Sequence, residues 1–119
     1  MATPLDQFQE ATRFMEEQLE AGLPVHVADL VLSEAYFALQ SFYQLSKSDS
    51  INALSAFVEH GGVTISHNAT GVLALPNLSS AKPGFVDRLI HGASHGQGHT
   101  LVTFEKAAKK LPATHVLQA

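Results

Sequence analysis

Apolar side chains along the chain recur at helical spacing in several separate stretches. Over residues 4–21 they fall at alternating steps of three and four, and acidic side chains lie mostly on the opposite side. This predicts an amphipathic helix that starts after Thr3-Pro4 and stops at Gly22. The same spacing predicts a helix over 29–45 and another over 48–60, for which Ser48 is the N-cap and Gly61-Gly62 a left-handed stop. Further helices are predicted over 68–78 and from residue 85 into the glycine-rich run 91–99. A short basic helix is predicted over 105–111.

Short β-branched segments lie between these helices. Strands are predicted near residues 25–28, 63–66, 100–104 and 114–117. The segment 100–104 is the most continuously apolar and is expected to be buried. Because strands alternate with helices, the sequence predicts an α/β fold with a mostly parallel sheet, formed by residues 1–119 as one domain.

Composition limits the class of protein. The 119 residues and 12.7 kDa fit one core, and 45% hydrophobic against 15% charged residues indicates a globular chain. The chain contains no cysteine, which excludes disulfides and thiolate metal sites and favours the cytoplasm. No apolar stretch approaches the length of a membrane span, and the N-terminal residues are acidic, so we expect neither a membrane segment nor a signal peptide.

The formal net charge of −4 argues against binding of nucleic acid through a broad basic face. It leaves open a nuclease that gathers carboxylates around Mg²⁺, because the metal then supplies the positive charge that faces the phosphate.

Acidic residues near the ends of the predicted strands are the first candidates for such chemistry, because ligands of parallel α/β sheets gather there. Glu34 follows the first strand, Asp87 opens a late helix, and Glu105 follows the 100–104 strand. If they converge, they form an oxygen-rich site for a hard cation. The structural alternatives are that Asp87 and Glu105 complement a helix dipole and that Glu34 simply faces water.

The histidines of the glycine-rich run and the lysines of the short basic helix each have two interpretations. His91, His95 and His99 are spaced by four, which on one helix suggests a zinc site, but the intervening glycines favour a glycine-rich link into the next strand. The lysines of the short basic helix either contact RNA phosphates or complement the helix dipole; they are Lys106, Lys109 and Lys110.

Four ordered segments together resemble the PIN-domain ribonucleases, the family of VapC-type toxins. Residues 23–39 resemble the family's second strand and following helix, and residues 84–91 resemble its block in which an aspartate opens a late helix. Residues 101–106 resemble its closing threonine, aromatic, acid motif, and residues 110–117 fit its last helix and strand.

The resemblance implies a three-layer α/β/α domain and a Mg²⁺-dependent (or Mn²⁺-dependent) endoribonuclease, the toxin of a toxin–antitoxin pair. It implies that Glu34, Asp87 and Glu105 hold the metal, and that Thr103 hydrogen-bonds within this catalytic cluster. The implied partners are an RNA substrate, an antitoxin protein and a second copy of the chain in a homodimer.

The chain departs from the family pattern at its start. The family begins with an apolar strand that ends in the first metal aspartate, and no such strand precedes the helix over 4–21. Asp6 does not replace that aspartate, because it lies on the helix's polar side. Glu105 is a milder departure, since the family more often has aspartate there. The alternative function is therefore a catalytically inactive PIN-like module that acts through protein–protein contacts.

The aromatic residues bear on that alternative. At helical spacing they predict core or interface positions, and their number suits a dimer or antitoxin surface; they are Tyr36, Phe37, Phe42, Tyr43 and Phe57.

The register of the resemblance predicts that Met1 is not the original start, and that about ten residues with a strand and its aspartate precede it. Without that central strand, either the strand near Val25 pairs with the strand near Leu101 or another chain fills the gap.

Overall fold

The structure is a computed structural model that describes residues 4–118, without the side chains of residues 4, 5, 7, 8 and 12. The predicted cap at Thr3, the residue Met1 to which the prediction of a missing upstream strand refers, and part of the predicted apolar face of the first helix therefore lie outside the described residues. The chain divides into two compact units, Met1–Ile65 and Ser66–Ala119.

Both units combine helices with short parallel strands, so the α/β class is confirmed. The first unit contains α1 (Pro4–Glu20), β1 (Val25–Val27), α2 (Asp29–Ser41), α3 (Lys47–His60) and β2 (Val63–Ile65). The second unit contains α4 (His67–Leu73), a 3-10 helix (Leu78–Ser80), α5 (Phe85–Gly96), β3 (Leu101–Thr103), a second 3-10 helix (Lys106–Lys110) and β4 (Thr114–Val116).

The helix α1 ends where the sequence predicts. Gly22 adopts a left-handed conformation with φ of 71°. Its N–H donates to the carbonyl of Leu19 at 3.0 Å, and the N–H of Leu23 donates to the carbonyl of Gln18 at 2.9 Å, which together close the helix end. Within residues 4–118, no helix combines the length and the apolar character needed to cross a membrane.

The boundary between α2 and α3 differs from the prediction. The helix α2 ends at Ser41 instead of near Leu45, because Gln44 turns the chain with a left-handed φ of 54°. The N-cap of α3 is Ser46, whose Oγ accepts a hydrogen bond from the N–H of Asp49 at 3.0 Å. The predicted cap, Ser48, instead lies inside the first turn of α3.

The core of the first unit lies between α2 and α3. Leu32 and Tyr36 of α2 are buried, as are Ile51 and Leu54 of α3. Ser50 is fully buried as well, and its hydroxyl donates to the carbonyl of Ser46 at 2.8 Å. This bond satisfies a polar group that would otherwise be costly inside the core.

The four strands form two separate two-stranded parallel sheets instead of the single predicted sheet. In the first unit Val25 is aligned with Val63, and in the second Leu101 is aligned with Thr114. Of the two predicted alternatives, the pairing of the Val25 strand with the Leu101 strand is therefore not formed, and filling of the gap by another chain stays a prediction. A single sheet needs a strand that pairs on both sides, and residues 4–118 contain none.

The helix α4 is shorter than the sequence predicts. Ser66 caps α4 by accepting a hydrogen bond from the N–H of Ala69 at 2.9 Å. The helix ends at Leu73 instead of continuing to residue 78. Pro76 lacks the N–H that a longer helix would need, and Asn77 takes a left-handed φ of 56° before the 3-10 helix begins.

The helix α5 continues through most of the glycine-rich run, so the predicted glycine-rich link is wrong up to Gly96. His91 and His95 both lie on α5, with ring centroids 5.3 Å apart and nearly parallel planes, while His99 lies beyond its end. The helix tolerates Gly92 because α4 packs closely there: the side chain of Asn68 occupies the space next to it and donates to the carbonyl of Leu89 at 2.8 Å.

The strand β3 is less buried than predicted. The side chains of Val102 and Phe104 are 56% and 64% exposed, whereas Leu101 and Thr103 are half-buried. A strand alternates its side chains between two faces, and this sheet is covered on only one of them. The prediction that residues 100–104 are buried is therefore wrong for Val102 and Phe104.

Two glycine substitutions test the packing of α4 against α5. A Cβ at Gly92 would overlap the amide of Asn68, whereas a Cβ at Gly71 meets nothing within 4 Å. We expect Gly92→Ala to lower the free energy of unfolding by about 1–3 kcal/mol through overpacking. Gly71→Ala, the matched control, should raise it by about 0.5–1 kcal/mol through helix propensity. Urea unfolding of both variants measures the free energy of unfolding. If both substitutions changed it by the same amount in the same direction, the close packing of Asn68 against Gly92 would be contradicted.

Candidate functional site

Two of the predicted acidic residues lie at one edge of the second unit. The helix α5 is joined to β3 by a short turn and packs against it. The negative charge of Glu105 raises the pKa of Asp87, so the start of α5 lies near the segment that follows β3. Asp87 is in the first turn of α5, and Glu105 follows β3 directly after Phe104. The fold therefore brings Asp87 and Glu105 near each other, while their role as metal ligands stays a prediction.

Local hydrogen bonds hold Glu105 in place. Its N–H donates to the Oγ1 of Thr103 at 3.1 Å, and its Oε1 accepts from the N–H of Ala107 at 3.0 Å. The carboxylate thus caps the second 3-10 helix. Thr103 therefore binds the backbone of Glu105, and its predicted hydrogen bond within the carboxylate cluster stays a prediction.

The carboxyl of Asp87 is electrostatically perturbed. Burial raises its pKa above the ordinary value, and the negative charge of Glu105 raises that pKa further. Burial penalises the charged form because water no longer solvates it fully, and a nearby like charge adds to the penalty. The two carboxylates are therefore close enough to feel each other's charge.

This pair of carboxylates fits the requirements of Mg²⁺. That ion is commonly held by one or two carboxylates, with water and substrate phosphates completing its octahedron. A cation between Asp87 and Glu105 would also relieve the repulsion that raises the pKa of Asp87. Asp87 and Glu105 are thus the residues of the second unit that would hold a hard cation.

The third predicted ligand, Glu34, belongs to the first unit. It lies in the second turn of α2 and is exposed, on the same helix face as the exposed side chains of Leu30 and Phe37. Across the described part of the chain, no group of three or more carboxylate or imidazole side chains is placed to hold a metal ion. A role for Glu34 beside Asp87 and Glu105 stays a prediction.

The basic residues near Glu105 keep both of their interpretations. Lys106, Lys109 and Lys110 are exposed on the second 3-10 helix, and the latter two lie in its last turn. They are placed to complement the helix end and are also accessible to an RNA phosphate.

Sequence reasoning missed a second polar feature of this unit. Arg88 and His91 of α5 line a depression of about 330 Å³ together with His67 and Asn68 of α4. The depression depends on how α4 packs against α5, which local patterns do not reveal. The three-residue spacing of Arg88 and His91 on one helix was the available signal.

Comparison of the chain with protein-family models, curated proteins and solved structures found no match in any of the three.

Removing Glu105's charge tests the coupling of the two carboxyls. We expect Glu105→Gln to lower the pKa of Asp87, yet to leave it above the ordinary value of 3.8, because burial is the larger cause. Titration of the Asp87 side-chain carbon by NMR measures this, with Glu59→Gln on α3 as a matched control. An Asp87 pKa unchanged by Glu105→Gln would contradict the coupling.

The same pKa shift makes stability depend on pH. The folded chain binds the Asp87 proton more tightly than the unfolded chain, so this carboxyl's favourable contribution is present below about pH 3.8 and is lost as pH rises through its folded pKa. Asp87→Asn should therefore gain stability relative to the wild type between acidic and neutral pH, by less than about 1 kcal/mol because the site is open to solvent.

Proposed function

We propose that the protein is a metal-dependent endoribonuclease of the PIN-like kind, with Asp87 and Glu105 at its catalytic edge. The observation that carries the proposal is the juxtaposition of these two carboxylates by the packing of α5 on β3. A carboxyl whose pKa is perturbed by burial together with a specific charged neighbour, as that of Asp87 is, is a candidate functional group. The order of the sequence motifs around Asp87 and Glu105 supports the same assignment.

The two carboxylates have complementary tasks in this proposal. When bound, Mg²⁺ or Mn²⁺ supplies Lewis acidity toward the phosphodiester and lowers the pKa of the attacking water. Glu105 is held by its bond to the N–H of Ala107, so it offers a fixed oxygen ligand. Asp87 has no such restraint within the described residues, so its carboxylate can adjust to the metal as the second oxygen ligand.

The predicted metal ligand Glu34 belongs to the first unit, and its role stays a prediction that substitution tests. It is accessible on α2 and stands at the family's internal acidic position. Thr103 acts as a positioning residue, since its Oγ1 fixes the backbone of Glu105. The natural setting would be a cytoplasmic toxin whose activity an antitoxin protein suppresses, consistent with a chain that lacks cysteine.

Cleavage of RNA by the purified protein tests the proposal. With Mg²⁺ or Mn²⁺ present, we expect RNA cleavage that chelation abolishes. Asp87→Asn and Glu105→Gln should each lower the rate about 100-fold or more, because each removes an oxygen ligand from the charged site. Glu34→Gln should do the same if it is the third ligand, and a normal rate would remove Glu34 alone from the site.

Glu59→Gln is the matched control, since this exposed acid on α3 should leave the rate unchanged. Equal residual cleavage by the wild type and Asp87→Asn would indicate a contaminating nuclease. No cleavage by the wild type would reject the enzyme and favour the second candidate below.

The second candidate is a PIN-like module that acts through protein contacts. It is favoured by exposed aromatic side chains in the first unit: Phe37 and Phe42 are 55% and 67% exposed. Exposed aromatic residues are typical of protein interfaces, where they supply large apolar contact areas. A second copy of the chain or an antitoxin would cover them, and this role is compatible with catalysis by the second unit.

Substitution of these aromatics tests the interface. We expect the wild type to sediment as a dimer and the double variant Phe37→Ser, Phe42→Ser to sediment as a monomer with the same helical circular dichroism. Each lost anchor should cost about 1–2 kcal/mol of association free energy. Leu30→Ser, on the same exposed face of α2, compares an aliphatic position with the aromatic ones. A wild type that stays monomeric at high concentration would reject the homodimer.

A further inference from the structure

A depression in the second unit, between α4 and α5, collects nitrogen-bearing side chains that the carboxylate edge does not use. Its polar wall is formed by His67 and Asn68 of α4 and by Arg88 and His91 of α5. Its apolar wall includes the side chain of Val72. The volume of about 330 Å³ is within the range of small-molecule sites, and it is open to solvent.

Arg88 is the strongest anion-binding group in this depression. Its Nε donates to the carbonyl of Pro83 at 2.7 Å, which fixes the plane of the guanidinium. Within the described residues it forms no ion pair, so its terminal nitrogens keep their donors for a ligand. A guanidinium held in one plane matches the paired oxygens of a phosphate.

The neighbouring polar residues are held rigidly. His91 is buried, and its Nε2 donates to the carbonyl of Pro112 at 2.7 Å while its ring stacks on that of His95. Asn68 donates to the carbonyl of Leu89 at 2.8 Å. Because these bonds fix the walls before any ligand arrives, little conformational entropy is lost on binding.

We propose that this depression holds a backbone phosphate of single-stranded RNA, with Arg88 as the residue that binds it. The inference rests on the ribonuclease function proposed above and names the substrate subsite. Asp87 and Arg88 are consecutive in α5, so a strand that crosses the start of this helix meets both. An acidic chain whose proposed reactive edge consists of carboxylates needs a local cation to hold a polyanion, and Arg88 supplies it.

Equilibrium binding tests the subsite separately from catalysis. Fluorescence anisotropy of a labelled, mixed-sequence single-stranded RNA in EDTA reports binding without cleavage. We expect Arg88→Gln to weaken binding about fivefold and to lower the slope of log affinity against log salt by about 0.7, the value for one phosphate contact. Arg13→Gln, which removes the chain's other arginine from the exposed face of α1, should bind as the wild type.

A second variant tests the cavity without altering charge. Gly71 lines the depression, and a Cβ there meets nothing within 4 Å, so Gly71→Leu fills the space and also favours the helix α4. We expect it to weaken RNA binding at least as much as Arg88→Gln does. Urea unfolding of every variant shows that the fold is kept, and Arg88→Lys, which retains the charge, should recover part of the affinity.

The outcomes separate the subsite from the enzyme. Weaker binding by both Arg88→Gln and Gly71→Leu, with normal unfolding, supports the subsite. Wild-type affinity in either variant overturns it, while RNA cleavage by the wild type would still support the ribonuclease. A wild type that neither binds nor cleaves RNA overturns both. If Arg88→Gln does not fold, Gly71→Leu and Arg88→Lys decide the question.

Discussion

The packing of α5 against β3 is the contact on which the chemistry of the second unit depends. Phe85 and Leu89 anchor α5, with only 1% and 2% of their surfaces exposed. The helix α5 packs against β3, and Glu105, which follows Phe104, is near enough to Asp87 for its charge to raise the pKa of Asp87. The apolar anchors of α5 thus fix the position of the acid pair, although they take no part in its chemistry.

A second contact, between α4 and α5, fixes what lies on the neighbouring face of the same helix. Gly92 lets the side chain of Asn68 approach α5, and the amide of Asn68 then binds the carbonyl of Leu89. Arg88 and His91 lie beside this contact. One helix therefore presents a carboxylate toward Glu105 and a guanidinium toward α4, because successive helical residues point about 100° apart.

The sequence predicted the strands well because each is a short β-branched segment between strong turn signals. It predicted helix ends less well. Gln44, in the connection between α2 and α3, adopts a left-handed conformation that glutamine does not favour. The helix α5 continues beyond Gly92 because a tertiary contact outweighs the low helix propensity of glycine. Of the site, the sequence places Asp87 before β3 and Glu105 after it, which predicts that they lie near each other. The pocket around Arg88 depends on packing between helices, and its local signal is the spacing of Arg88 and His91 on α5.

The two carboxylates differ in what their positions imply. Glu105 has a sufficient structural role, since it caps the second 3-10 helix through the N–H of Ala107. Asp87 has no such role: within the described residues its side chain forms no hydrogen bond or ion pair, and α5 has no side-chain cap. Its placement near Glu105 disfavours its charged form. The dipole at the start of α5 favours an acid at this position, but a partly buried acid without a hydrogen bond gains less stability from its position than Glu105 does, so Asp87 is the stronger candidate for a functional role.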